Sequence, residues 1–343
     1  MADITIRGAG IFGLSIAWVC AQRGARVAVI DPGGPAAGSS GGLVGALAPH
    51  VPENWNAKKA FQFESLLMSP QFWAEVEDAG GAQAGYIRSG RVQPVLDLRS
   101  LERAHQRTHT AADLWRDHAE WSVQTAQDTP WQPHSPTGWI IKDTLSAHLH
   151  PQQACAALVA ALASKGVTVQ SDGADTGAVV WATGVAGLAA LTQGHHRQVG
   201  NGVKGQAALL DYDARGAAQI FADGVHIIPH LDGTVAIGST SERDFADPAS
   251  TDHQLEDVIA KARTVVPVLC DAPVLKRWAG VRPRSRSRAP MLGAWPDRPG
   301  HFIANGGFKI GFGMAPKTAH VMADLVLDRR DAIPAGFEVA ASL

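Results

Sequence analysis

The chain has 343 residues, 45% hydrophobic and 18% charged, with a net charge of −2. That length predicts about two domains with a substantial core, and that charge gives no global case for nucleic acid or an anionic membrane as partner. Cys20, Cys155 and Cys270 stand far apart and in no CxxC pairing, which argues against a disulfide framework or a zinc site. No apolar run approaches the ~18 residues of a membrane span. No basic leader with a cleavage site is visible, so a cytoplasmic protein is expected.

Ile4 and Ile6 alternate with Asp3, Thr5 and Arg7 as in a strand. The turn Gly8-Ala9-Gly10-Ile11-Phe12-Gly13 follows, and Leu14 to Arg23 then runs as a helix until Gly24. In this order Gly8 permits a tight turn, Gly10 lets a pyrophosphate approach the backbone, and Gly13 lets the helix pack on the strand. The helix N-terminus, at Ile11 and Phe12, offers N–H groups to phosphates. A second strand through Val27, Val29 and Ile30 ends at Asp31, roughly 20 residues on, where a carboxylate meets the ribose hydroxyls. The stretch reads as a dinucleotide mount.

A nicotinamide-type domain would supply another helix and strand next. This chain instead enters a small-residue segment from Pro32 to Pro49, in which Ser39, Ser40, Gly45, Ala46 and Leu47 let the backbone lie against a flat ligand. The two serine hydroxyls reach toward phosphates. That favours FAD over NAD. Residues 57–77 read as helix, 86–96 as strand and 101–118 as a helix whose His105, His109 and Asp113 form a solvated face, not a metal site. Pro151 opens a further helix, Val167 to Val169 and Ala178 to Trp181 read as strands returning to the first sheet, and Ala182-Thr183-Gly184 follows. Residues 197–281 read as a β-rich unit, with a hairpin about Leu231-Asp232-Gly233 and a helix capped by Thr251 and Gln254. The chain closes with Trp278 to Pro283, a strand at 301–304, the turn Asn305-Gly306-Gly307-Phe308-Lys309-Ile310-Gly311 and a last helix. Trp278 reads as core.

Gly8-x-Gly10-x-x-Gly13 with Asp31, residues 40–49, Val180-x-Ala182-Thr183-Gly184, Val203-Lys204-Gly205, Trp278-Ala279-Gly280-Val281-Arg282-Pro283 and Gly306-Gly307-Phe308-Lys309-Ile310-Gly311 follow one another along nearly the whole chain. In this ordered set the chain resembles the glycine oxidase and D-amino acid oxidase family. The resemblance implies an α/β fold. Its discontinuous Rossmann-like FAD-binding domain, of glutathione-reductase type, would comprise residues 1–50, 140–196 and 283–343. An antiparallel β-sheet substrate domain would comprise 51–139 and 197–282. It implies non-covalent FAD, since the cysteine that anchors flavin in sarcosine oxidases is absent. The activity implied is oxidation of a small amine or amino acid bearing an α-carboxylate, by hydride transfer from Cα to flavin N5 and hydrolysis of the imine. Arg282 and Lys309 take the carboxylate-binding positions. The segment between Val169 and Ala178 is too short for the family's usual three-stranded insertion.

His226 stands where relatives have a substrate-facing tyrosine, and His50 lies just past the flavin loop; both are candidates for the site. Arg284, Arg286 and Arg288 alternate after Arg282 and read as a solvated strand face. Two other readings use the same fold. One is an oxidase acting on the carboxymethylaminomethyl group of tRNA wobble uridine, against which stand the net charge and the missing methyltransferase half. The other is an FAD-binding module without catalysis. The electron acceptor, oxygen or another, and the oligomeric state are left open.

Overall fold

Strand Ile4–Arg7, helix Ile11–Gln22 and strand Val27–Ile30 follow one another in the computed structural model, which describes residues 1–343. The two strands pair in parallel, Ile4 opposite Val27 and Arg7 opposite Ile30. The helix between them is buried from Ile11 to Cys20 because it packs on both the sheet and the helices Pro151–Ser164 and Gly311–Asp328. Full burial of Leu14 and Ile16 stabilises the fold by about 1.5–3 kcal/mol each. Glycines make this packing possible. Gly8 has φ +106°, and a Cβ on Gly13 would stand 1.9 Å from the Gly8 carbonyl oxygen, driving the helix off the strand.

Strands Ala178–Trp181, His301–Asn305, Met291–Ala294 and Val169–Gln170 complete a six-stranded sheet. All its neighbours are parallel except the Met291–Ala294 and His301–Asn305 pair. The chain leaves this sheet and returns to it twice. The strand expected over Val167–Val169 is only Val169–Gln170, and a short loop joins it to Ala178.

The second sheet has eight strands in the order Val274–Ser285, Gly200–Asp211, Thr234–Gly238, Val225–Pro229, Gln219–Ala222, Arg91–Pro94, Trp139–Asp143 and Trp121–Thr125. Only Gln219–Ala222 with Arg91–Pro94 is parallel. Helix His253–Val265 covers part of one face with Leu255, Val258, Ile259 and Ala262. Its cap is Asp252, whose carboxylate accepts from the Gln254 N–H at 3.0 Å, and not Thr251 as expected.

Sheet membership shifts two of the expected boundaries, and helix packing bears on a third. Strands Trp139–Asp143 and Val274–Ser285 belong entirely to the eight-stranded sheet, so divisions at 139/140 and 282/283 would cut both. Helix Ala57–Gly80, expected in the substrate domain, packs on Pro151–Ser164 and Gly311–Asp328, and its Phe61, Phe72 and Trp73 join the core of the six-stranded half. The two halves are tied at the hairpin loop, where Asp232 accepts from Gln153 Nε2 at 3.0 Å. No helix is long and apolar enough to cross a membrane.

Candidate active site

A cavity of about 1040 Å³ lies where the two sheets meet. Its wall brings together Gly8, Gly10, Ile11, Phe12, Asp31, Ser39, Ser40, Gly45, Ala46, Thr183, Gly184, Arg282, Gly306, Gly307, Phe308 and Lys309. Gly13, Leu47 and Ile310 stand behind it. Gly13 is pressed on Gly8, Leu47 is core, and Ile310 precedes the last helix.

On one side the wall is an anion cradle. The first helix begins with an uncapped turn, and the N–H groups of Phe12 and Gly13 have no protein acceptor. Ser40, expected to face phosphate, instead takes up the Ile11 N–H, its Oγ accepting at 3.0 Å. Its hydroxyl proton is still available to donate. Asp31 accepts from Ala9 N–H at 2.7 Å and Gly33 N–H at 2.9 Å, which fixes the carboxylate at the strand end with lone pairs to spare. The closing turn repeats the design: Gly311, Phe312 and Gly313 begin the last helix with N–H groups that lack a protein acceptor. Asn305 ties this turn to Gly184, donating from Nδ2 to its carbonyl at 2.8 Å.

On the other side stand Arg282 and Lys309; the wall also carries Arg243 and Arg7, the latter paired with Asp175. The Arg282 guanidinium donates to Ser239 Oγ at 2.6 Å and to the Thr240 carbonyl at 3.4 Å. Burial pushes its pKa down to about 10, against the opposing effect of Glu242, so it stays charged at neutral pH. Lys309 is surface-exposed by area, yet set deep enough in the wall that desolvation, and then Arg282, lowers its pKa. Neither makes an ion pair. The only carboxylate in the wall is Asp31.

A family model described as "FAD dependent oxidoreductase" matches residues 3–325. The chain belongs to this family. It is 26% identical to the bifunctional protein ThiO/ThiG of Trichormus variabilis over 96% of the chain and 53% of that protein, so it spans about half the length of that relative. It is 23% identical to the glycine oxidase of Geobacillus kaustophilus, over 94% of the chain and 92% of that protein. Among solved structures, the glycine oxidase of Bacillus cereus superposes with a TM-score of 0.84 at 22% identity, covering 96% of each chain, which establishes the fold.

FAD is therefore the cofactor, and the residues present fit it. The free amides at Phe12 and Gly13 and the hydroxyl of Ser40 suit a pyrophosphate, Asp31 a ribose, and the uncapped last helix an electron-rich ring edge. A Cβ on Gly8 would meet the Ala182 carbonyl oxygen at 2.4 Å, so this turn admits no side chain between the sheet and the ligand.

The histidines expected at this flavin site lie outside the cavity wall. His50 is held against Gln62, which accepts its backbone N–H at 2.8 Å and contacts its ring. His226 packs its ring on Phe221 at 4.6 Å and leaves Nδ1 without a partner. Burial first, then the charges of Arg91, Lys309 and Arg282, push it down to about 3, so it is neutral at pH 7 and a poor base. Trp278, read as core, lines the cavity. His150, His230 and Asp232 bring donor atoms within 4.8 Å of one another beside the hairpin loop, a grouping that chain order concealed.

Chain order also concealed what holds Arg282. A Cβ on Gly205 would lie 2.0 Å from both of its terminal nitrogens, so the guanidinium rests directly on that glycine's face. Beneath Ser239 and Thr240 is a buried polar network. Gln206 Nε2 donates to Glu242 Oε1 at 3.0 Å and to Asp252 Oδ1 at 2.8 Å, and Lys204 Nζ lies 3.5 Å from Glu242 Oε2. Arg243, Phe245, Pro248 and Ala249, from the loop before helix His253–Val265, complete the wall.

Proposed function

We propose that the chain oxidises a small amine bearing an α-carboxylate, of the glycine, sarcosine or D-amino acid type. The observation that carries this is the pair Arg282 and Lys309: two cations without ion-pair partners, in the wall of an FAD cavity whose only carboxylate is on the ribose side. Several relatives are named glycine oxidase, which supports a substrate of that size.

Bound FAD supplies the two-electron acceptor that takes hydride from the substrate Cα. Positioning is the protein's main task. The planar Arg282 fork, held by Ser239 and rested on Gly205, binds a carboxylate with two parallel hydrogen bonds, and Lys309 adds a point charge beside it. The same two cations disfavour a bound ammonium, so the substrate amine enters in its neutral form with its lone pair free. No general base is then required. Trp278 and Phe308 line the cavity, and the loop carrying Phe245 supplies further wall.

Turnover of glycine with the FAD-loaded protein should release an oxo acid and ammonia in equal amounts. An enzyme that holds FAD and yields neither product from glycine, sarcosine or D-amino acids would contradict the proposal.

A further inference from the structure

Arg282 and Arg284 leave the same face of strand Val274–Ser285, two residues and about 7 Å apart. The ladder between them is regular, with Arg282 opposite Val203 and Arg284 opposite Asn201. The closing turn is docked on this strand by the Phe308 N–H, which donates to the Pro283 carbonyl at 3.0 Å. The turn thereby lies across both arginines. Lys309 neighbours Arg282, while the guanidinium of Arg284 sits 5.4 Å over the ring of Phe308. Arg284 is thus outside the cavity wall but stacked on a residue within it.

A fourth cation comes toward Arg284 from a distant part of the chain. Lys58, in the first turn of helix Ala57–Gly80, donates to the Arg288 carbonyl at 2.5 Å. Burial and then the charges of Arg284 and Arg288 lower its pKa. No carboxylate pairs with Lys58, Arg284 or Arg288. Like charges gathered in a partly desolvated place without a counter-ion are unfavourable, and an arriving anion offsets that cost. A solvated strand face would let them diverge. Here Lys58 brings another charge toward them instead.

We infer that Arg284, with Lys58 and the face of Phe308, forms a second anion subsite beside the Arg282–Lys309 carboxylate subsite, and that the preferred substrate is an amine carrying two carboxylates. The inference rests on the reading of the cavity as an amine-oxidation site and narrows it. Glycine or sarcosine fills only the first subsite. A second carboxylate on an acidic side chain, or on an N-carboxyalkyl arm, spans the distance to the second.

The test separates binding from turnover. Glutarate and its monoamide, which match in shape and cannot be oxidised at an amine, are titrated into the FAD-loaded protein and followed by perturbation of the flavin absorbance. Wild type should bind glutarate about tenfold or more tightly than the monoamide, and Arg284→Gln should bring the two within about twofold. Lys58→Gln, with FAD content as the folding control, should reduce the preference partway. Equal binding in wild type, or a preference that survives Arg284→Gln, overturns the subsite. A second arm compares flavin reduction by D-glutamate and D-glutamine: if neither reduces the flavin and no other amine does, the oxidation reading fails, and the glutarate titration still decides the subsite.

Discussion

Replacing Gly205 by alanine puts a methyl group where the Arg282 guanidinium lies, 2.0 Å from both terminal nitrogens. The backbone cannot retreat, because Gly205 is fixed opposite Gly280 in a ladder that is regular from Gly200 to Leu209. The arginine must move instead, and it then loses its 2.6 Å bond to Ser239 Oγ; the 3.4 Å contact to Thr240 is long and contributes little. One charge-assisted hydrogen bond contributes about 1.5–3 kcal/mol, so carboxylate affinity should fall roughly ten- to hundredfold. Gly205 itself is not in the cavity wall, so FAD content should be retained. The assay is titration of the loaded protein with a non-oxidisable carboxylate, together with KM for the substrate. Because both residues act through one contact, Gly205→Ala and Arg282→Ala should be far from additive in a double-mutant cycle. Unchanged affinity with full FAD occupancy, or clean additivity, would refute the positioning argument.

Asp31→Ala removes the acceptor of the Ala9 and Gly33 N–H groups as well as the ribose carboxylate, and should weaken FAD binding by about 1.5–3 kcal/mol, read as the flavin Kd. Asp143→Asn breaks an ion pair with Arg91 in which both side chains are almost wholly buried; a loss of about 3–5 kcal/mol is expected in urea unfolding, and a loss below 1 kcal/mol would show that the pair is solvated. Acid should destabilise the fold through histidines that folding desolvates, His148 and His230 buried and His226 half-buried. His148 is pushed down to about 4, and His226 and His230 to about 3, mainly by burial. The unfolded chain therefore binds protons near 6.5 while the folded chain does not, so stability is full above that value and is lost progressively as pH falls from about 6.5 toward 3. His226→Gln should flatten that slope.

The parts of the fold legible in the sequence are those whose signal is local. The run Ile4 to Asp31 carries its strand, turn, helix and strand within one stretch, and the closing turn from Asn305 to Gly311 does the same. What chain order hid are contacts between remote segments. Arg91 and Asp143 face each other across strands 52 residues apart, and Arg282 rests on Gly205 through a pairing that no periodicity reports. Ser40 stands in a glycine-rich segment that says nothing of its protein partner; in three dimensions its Oγ accepts the Ile11 N–H, which leaves only the hydroxyl proton for a phosphate. His50 follows the flavin loop in the chain, but Gln62 of the next helix accepts its backbone N–H. The apolar residues of helix Ala57–Gly80 likewise do not say which core they join; the helix packs on Pro151–Ser164 and Gly311–Asp328.

The most direct measurement of the central claim is anaerobic mixing of the FAD-loaded protein with carboxylate-bearing amines while the flavin absorbance is followed. The arrangement of Arg282, Lys309 and the two uncapped helices predicts bleaching of the visible band by at least one such amine, and its loss or marked slowing in Arg282→Ala with FAD still bound. A flavin that stays oxidised with glycine, sarcosine, D-amino acids and dicarboxylate amines alike would contradict the account.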